Sequence, residues 1–227
     1  MSGHTDQAFE AELQVLRGRL VGMASRVEAM IAQAARSLVE GDASLADCTV
    51  ALDPAVNQDE MDIDDMVIQL LARRQPLASD LRFIVTATRM ATDLERIGDL
   101  AVGICRRGAD LRRAGGGPVH PAVPRMALVV EGMVHEAAVA FVRADADAAQ
   151  AVLEQDDVVD DLLRELFGEL LGAMVDGHAQ VATTLPVLNA ARALERIGDH
   201  ATNLAEEVIY VVRGRDVRHG GRGGSIT

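Results

Sequence analysis

Between Leu194 and Val211 the apolar positions Leu194, Ile197, Ala201, Leu204, Val208 and Val211 follow one another at steps of three, four, three, four and three. That spacing is a heptad seam, the stripe that an α-helix shows to a packed neighbour. Leu94, Ile97, Ala101 and Ile104 repeat it in the first half of the chain. No window alternates apolar and polar residues with the period of two that a half-buried strand needs. The pattern predicts an all-α protein built from long amphipathic helices.

Backbone punctuation divides the chain into three helices per half. The first runs from Thr5 to Glu40 and stops at Gly41-Asp42, because Gly suits a helix C-terminus and Asp an N-cap. The second runs to Arg74, where Gln75-Pro76 ends it, since Pro disfavours helix in the residue before it. The third reaches Arg113, and Gly115-Gly-Gly-Pro118 forms a linker. The fourth spans Pro121 to Arg143. Asp145 caps the fifth, which ends at Asp176-Gly177, and the sixth ends at Arg213. Pro186 is expected either in the first turn of that last helix or at a kink. The implied units are residues 1–114, residues 118–213, and a Gly- and Arg-rich tail, 214–227, expected to be poorly ordered.

The hexapeptide Leu94-Glu-Arg-Ile-Gly-Asp99 recurs unchanged as Leu194-Glu-Arg-Ile-Gly-Asp199. The second and fifth helices also align, Asp42 on Asp145, Asp53 on Asp156, Val56 on Val159 and Asn57 on Asp160. Two anchors in register mark an internal duplication. Each half is long enough for a three-helix bundle, and the predicted fold is a tandem pair of them, six long antiparallel helices in all.

Composition narrows the function. Of 227 residues 49% are hydrophobic but only 2% aromatic, so Ala, Leu, Val and Met must fill the core. Met23, Met30, Met61, Met66, Met90, Met126, Met133 and Met174 are expected as filler. A net charge of −13 argues against a nucleic-acid surface and against anionic lipid. Neither a signal peptide nor an apolar run near the ~18 residues of a membrane span is present, which points to the cytoplasm and to reduced thiols at Cys48 and Cys105.

The repeated hexapeptide carries chemistry as well as symmetry. Glu95 and Asp99, like Glu195 and Asp199, stand four residues apart and project away from the heptad seam. Like charges at that spacing cost roughly 0.2–0.5 kcal/mol, which a solvated face tolerates. An exposed acidic stripe with Arg96 and Arg196 beside it is therefore one reading. The second helices bring Asp53 and Asn57, and the fifth Asp156 and Asp160, at the same spacing. If neighbouring helices face these pairs together, each half gathers four oxygen-bearing side chains, a set suited to hard or borderline divalent cations. Asp157 and Asp161 read as solvated face, and His200 as a surface or packing residue rather than a ligand.

No catalytic machinery accompanies these groups. Gly115-Gly-Gly-Pro118 lacks the Lys-Ser/Thr end of a phosphate loop. The Glu-x-x-His pairs of di-iron bundles are missing, and no His neighbours a Ser or Cys nucleophile in sequence. The chain reads as a non-enzyme. The rivals are a metal storage or metal-dependent hydrolytic protein, and a structural helical oligomer without metal.

Arg74-Gln-Pro-Leu-Ala-Ser-Asp-Leu-Arg82 followed by Asp93-Leu-Glu-Arg-Ile-Gly-Asp99, with Ala193-Leu-Glu-Arg-Ile-Gly-Asp199 in the second half, resembles the PhoU family of phosphate-transport accessory and regulatory proteins. Phe9-Glu-Ala-Glu-Leu13 and the tail from Gly214 to His219 are similar to that family too. The resemblance implies a cytoplasmic adaptor, a homodimer by expectation, that works between the ATPase of a high-affinity phosphate ABC importer and a sensor histidine kinase. Such an adaptor keeps phosphate-starvation genes off when phosphate is plentiful. It also implies metal ligation, iron or another cation in a multinuclear cluster, at Glu95/Asp99 and Glu195/Asp199 with Asp53/Asn57 and Asp156/Asp160. The second half has no counterpart of Gln75-Pro76 or Asp80-Leu-Arg82, and it places Leu163 where the first has Glu60. The resemblance therefore does not imply two equivalent sites.

Overall fold

The computed structural model describes residues 3–214, so the tail beyond Gly214 lies outside the described residues. Six helices make up the fold: α1 (Gly3–Glu40), α2 (Ala43–Arg73), α3 (Ala78–Arg113), α4 (Ala122–Arg143), α5 (Ala146–Val175) and α6 (Val181–Arg213). No strand occurs among the described residues. α1, α2 and α3 pack on one another, as do α4, α5 and α6. Cross-helix ion pairs set the directions. Arg19 meets Asp62 at 3.1 Å and Arg26 meets Asp59 at 3.0 Å, so α1 and α2 run antiparallel. The halves join through α1 on α4 and α3 on α6. Each joining helix meets its own counterpart, so the arrangement maps onto itself when the halves are exchanged.

The heptad stripes of α3 and α6 are the centre of the core. Leu94, Ile97, Ala101 and Ile104 are buried, and so are Leu194, Ile197, Ala201, Leu204 and Val208. Phe83 of α3 stacks on Phe141 of α4, with ring centroids 5.2 Å apart, and ties the halves with the largest apolar side chains available. Methionine fills the core at Met23, Met30, Met90, Met126 and Met133. Met61 departs from that expectation and is exposed, on the outer side of α2.

The caps follow the local chemistry. Asp42 accepts a hydrogen bond from the Ser44 amide at 2.7 Å, and Asp145 accepts from Asp147 and Ala148 at 3.0 and 2.9 Å. Pro186 is not in the first turn, because α6 starts at Val181 and continues through it. The Ala182 carbonyl loses its helical donor there, but Ala182 is exposed and water can take that role.

The duplicated turn between the first two helices of each half is chemically unequal. Gly41 adopts φ 71° before Asp42, whereas Ala144 holds φ 51° before Asp145. A left-handed residue at a helix C-terminus closes the last turn, and here the Asp145 amide bonds the Ala140 carbonyl at 2.9 Å. A Cβ in that conformation costs about 1–2 kcal/mol, partly offset because Gly gives the unfolded chain more freedom. Ala144→Gly is therefore expected to stabilise the protein by about 0.5–1 kcal/mol, read as a higher urea midpoint at unchanged slope. A lower midpoint would contradict the strain.

Candidate metal centre

The α2–α3 seam is set by an interhelical hydrogen bond and a close approach. Thr92 Oγ1 donates to Glu60 Oε1 at 3.0 Å. Further along, Val56 packs on Gly98, where a Cβ would stand 3.4 Å from its Cγ1. In the second half, a Cβ on Gly198 would stand 3.4 Å from Asp156 Oδ1 and 3.7 Å from Val159. Glycine inside a helix costs about 1 kcal/mol relative to Ala. Here it lets α2 and α5 lie close against α3 and α6, beside the repeated carboxylates.

That register places Glu95 and Asp99 of α3 near Asp53 and Glu60 of α2. Asp99 is exposed, with 53% of its side chain accessible, but Glu95 is only 17% accessible. The outward projection expected from the seam thus holds for Asp99, while Glu95 turns into the groove between helices. Burial raises the Glu95 carboxyl above the ordinary range. Asp99 adds to this, Arg96 opposes it, and Glu60 and Asp53 add further. Glu195 is raised in the same way, first by burial and then by Asp199, Asp160 and Asp156, with Arg196 opposing. Asp156 is raised by burial, then Asp160, Asp199 and Asp157. All four oxygen-bearing positions named in the second half therefore feel one another.

An acid whose pKa is higher folded than unfolded holds its proton more tightly in the folded state. Its contribution then falls as pH rises from the ordinary carboxylate range through the raised value. At neutral pH the ionised seams cost stability, and a cation would reverse that cost.

Asn57 adds a neutral donor. Its Nδ2 is 3.5 Å from Asp53 Oδ2, and its Oδ1 is buried with no hydrogen-bond partner. An orphaned buried oxygen beside carboxylates suits a cation. Among the described residues, however, no group of three or more His, Cys, Asp or Glu side chains is arranged to hold a metal ion. The donor set is all oxygen, the type hard cations take, but it forms no closed single-ion cage. Asp157 and Asp161 are exposed and Asp161 pairs with Arg164, in keeping with a solvated face.

Sequence reasoning missed the polar contacts between the halves. His200 Nδ1 lies 2.8 Å from Asp93 Oδ1, and Asn203 Nδ2 donates to the same oxygen at 3.3 Å. The buried carboxylate of Glu207 accepts from Thr86 at 3.3 Å and meets Arg89 at 3.4 Å. The exchanges of Leu100 for His200 and of Asp93 for Ala193 were the visible signals.

The family model described as PhoU domain matches residues 20–108 and again 123–208, so both carboxylate seams fall inside matched stretches. The chain belongs to the PhoU family. It is 41% identical over 220 residues to a phosphate-specific transport system accessory protein PhoU homolog of Pseudomonas aeruginosa, covering 96% of this chain and 91% of that protein. It is 32% identical over 221 residues to the PhoU protein of Escherichia coli, covering 97% and 92%. Among solved structures, PhoU from Pseudomonas aeruginosa superposes with a TM-score of 0.87 at 41% identity, over 91% of this chain and all (100%) of that one. The phosphate transport system regulatory protein PhoU from Streptococcus pneumoniae gives 0.86 at 27% identity, over 92% and 99%. PhoU relatives thus share the six-helix architecture across nearly the full described length.

Proposed function

We propose that this chain is a non-enzymatic adaptor of phosphate transport, acting as a homodimer in the cytoplasm. It couples the ATPase of a phosphate ABC importer to a sensor histidine kinase and keeps phosphate-starvation genes off when phosphate is plentiful. The observation that carries this reading is the match of both repeats, in order and across nearly the whole chain, to phosphate transport accessory proteins. No helix among the described residues is long and apolar enough to cross a membrane.

In this reading the carboxylate seams bind divalent or iron cations, in a multinuclear cluster, and set the charge of the surface that partners meet. Glu95, Asp99, Asp53 and Asn57 would hold them in the first half, and Glu195, Asp199, Asp156 and Asp160 in the second. The bound cations would supply positive charge where Glu95, Glu195 and Asp156 are otherwise held close to other carboxylates. The second reading, metal storage or metal-dependent hydrolysis, rests on those same carboxylates and lacks a positioned base.

Deleting the gene is expected to leave phosphate-starvation promoters active in high phosphate, with repression restored by the full chain. A reporter strain measures this directly, and normal repression in the deletion would end the adaptor reading. An assay of phosphate-ester hydrolysis by the purified protein separates the two readings.

A further inference from the structure

The halves share a fold but differ along the outer seam. In the first half the α2 positions after the cation seam are Glu60, bonded to Thr92, and Asp64, whose Oδ1 is buried without a partner. In the second half the equivalent α5 positions are Leu163 and Phe167. Opposite them on α6, Leu188 replaces Thr88. Polar seam has become apolar seam.

The apolar surface then continues to the α5–α6 turn. Phe167 is 42% exposed, Leu171 45%, Val181 64% and Leu185 50%. Phe167 is the one exposed aromatic ring among the described residues of a chain with almost no aromatics. Phe167 and Leu171 stand one turn apart on α5, as Val181 and Leu185 do on α6, so two neighbouring helices each carry an exposed apolar pair at this end of the bundle. Isolated exposed apolar residues are ordinary, but a contiguous patch of this kind marks an interaction surface.

The flanking charge states what fits. α5 carries eight carboxylates and one arginine, Arg164, which is already paired with Asp161. In the first half α1 answers the acids of α2 with Arg19 and Arg26. In the second half α4 offers Arg125 at 4.0 Å from Glu165, and His120 in the linker before it lies 2.8 Å from Glu169, but α4 also turns Glu136 toward Gln155. On α6, Arg213 pairs with Asp147 and Arg196 opposes Glu195, which still leaves the α5 carboxylates in excess.

We propose that the α5–α6 face is a docking surface for a basic amphipathic helix of a partner protein, its apolar stripe on Phe167, Leu171 and Leu185 and its cationic flank on the carboxylates of α5. Recognition of an amphipathic helix needs these two elements, an apolar face and complementary charge beside it. The inference rests on the adaptor reading; the first half also exposes Ile68, Leu81 and Val85, but Glu60 and Asp64 interrupt its apolar face where the second half has Leu163 and Phe167.

The test is fluorescence anisotropy with the full chain and a fluorescein-labelled leucine–lysine amphipathic helix of about 18 residues. Saturable binding is expected. Leu171→Gln with Leu185→Gln should weaken it at least about tenfold, because apolar anchors carry most of such contacts. Ile68→Gln with Val85→Gln, at the matching places in the first half, should leave it unchanged, and a helix with Glu in place of Lys should not bind. All four residues are exposed, so circular dichroism should show folded variants. Equal binding by wild type and the Leu171/Leu185 variant would overturn the proposal, since charge alone would then explain the affinity. So would equal losses in both halves, or sedimentation showing that wild type self-associates through this face. Failure here leaves the deletion phenotype intact, and failure of the deletion phenotype leaves helix binding measurable.

Discussion

Leu94→Ala is expected to destabilise the protein by about 2–5 kcal/mol, the range for removing a buried leucine side chain that its neighbours cannot replace. Leu94 is 1% exposed and sits where α1, α3, α4 and α6 meet. A narrow apolar gap already remains there, bordered by Leu20, Met90, Leu94, Phe141 and Leu204. The truncated side chain would enlarge that gap rather than let the helices close, because all four are held by contacts elsewhere along their length. Leu94 lines the junction of the halves, so the loss should appear as one lowered transition for the whole chain. A control at Leu128→Ala, on the exposed side of α4 at 70% accessibility, should change stability by less than about 0.5 kcal/mol. Urea unfolding of both variants checks the contrast, and similar losses would mean that the junction is not the organising core.

The helices were legible because their signals are local. Gly41-Asp42, Asp145 and Gln75-Pro76 act through backbone geometry and capping within a few residues. The six-residue repeat carried the architecture because a duplicated sequence must bury its stripe in the same way twice. The place of Pro186 stayed open in the sequence because its cost depends on whether water reaches the Ala182 carbonyl, which only the packed helix decides. Met61 was misread because composition cannot say which face of α2 a residue occupies. The Asp93–His200 contact joins residues more than a hundred positions apart, and no periodicity links them. The carboxylate pairs were visible as i,i+4 spacing, but the turn of Glu95 into the groove depends on how closely Gly98 lets α2 approach.

Manganese(II) is expected to raise the unfolding temperature of the wild-type protein and not that of a variant with Glu95→Gln, Asp99→Asn, Glu195→Gln and Asp199→Asn. At a free cation concentration about a hundredfold above Kd the gain is about 2.7 kcal/mol, since only the folded chain presents the seams. In chelator the order reverses. The variant loses two like-charged i,i+4 pairs and should be the more stable at pH 7, by roughly 0.4–1 kcal/mol. The pH dependence carries the same sign. Glu95, Glu195 and Asp156 are raised in the folded protein, so metal-free wild type should lose stability as pH climbs out of the ordinary carboxylate range. The variant keeps only Asp156 of these three and should lose less. Neutralising one half at a time separates the sites. The first half keeps Asp53, Glu60 and the unpartnered Asn57 oxygen, so it should retain the larger share of metal when the second half is neutralised. Elemental analysis after dialysis reads this directly. Equal metal content and equal thermal response in wild type and the fourfold variant would mean that these carboxylates are a solvated acidic face and nothing more.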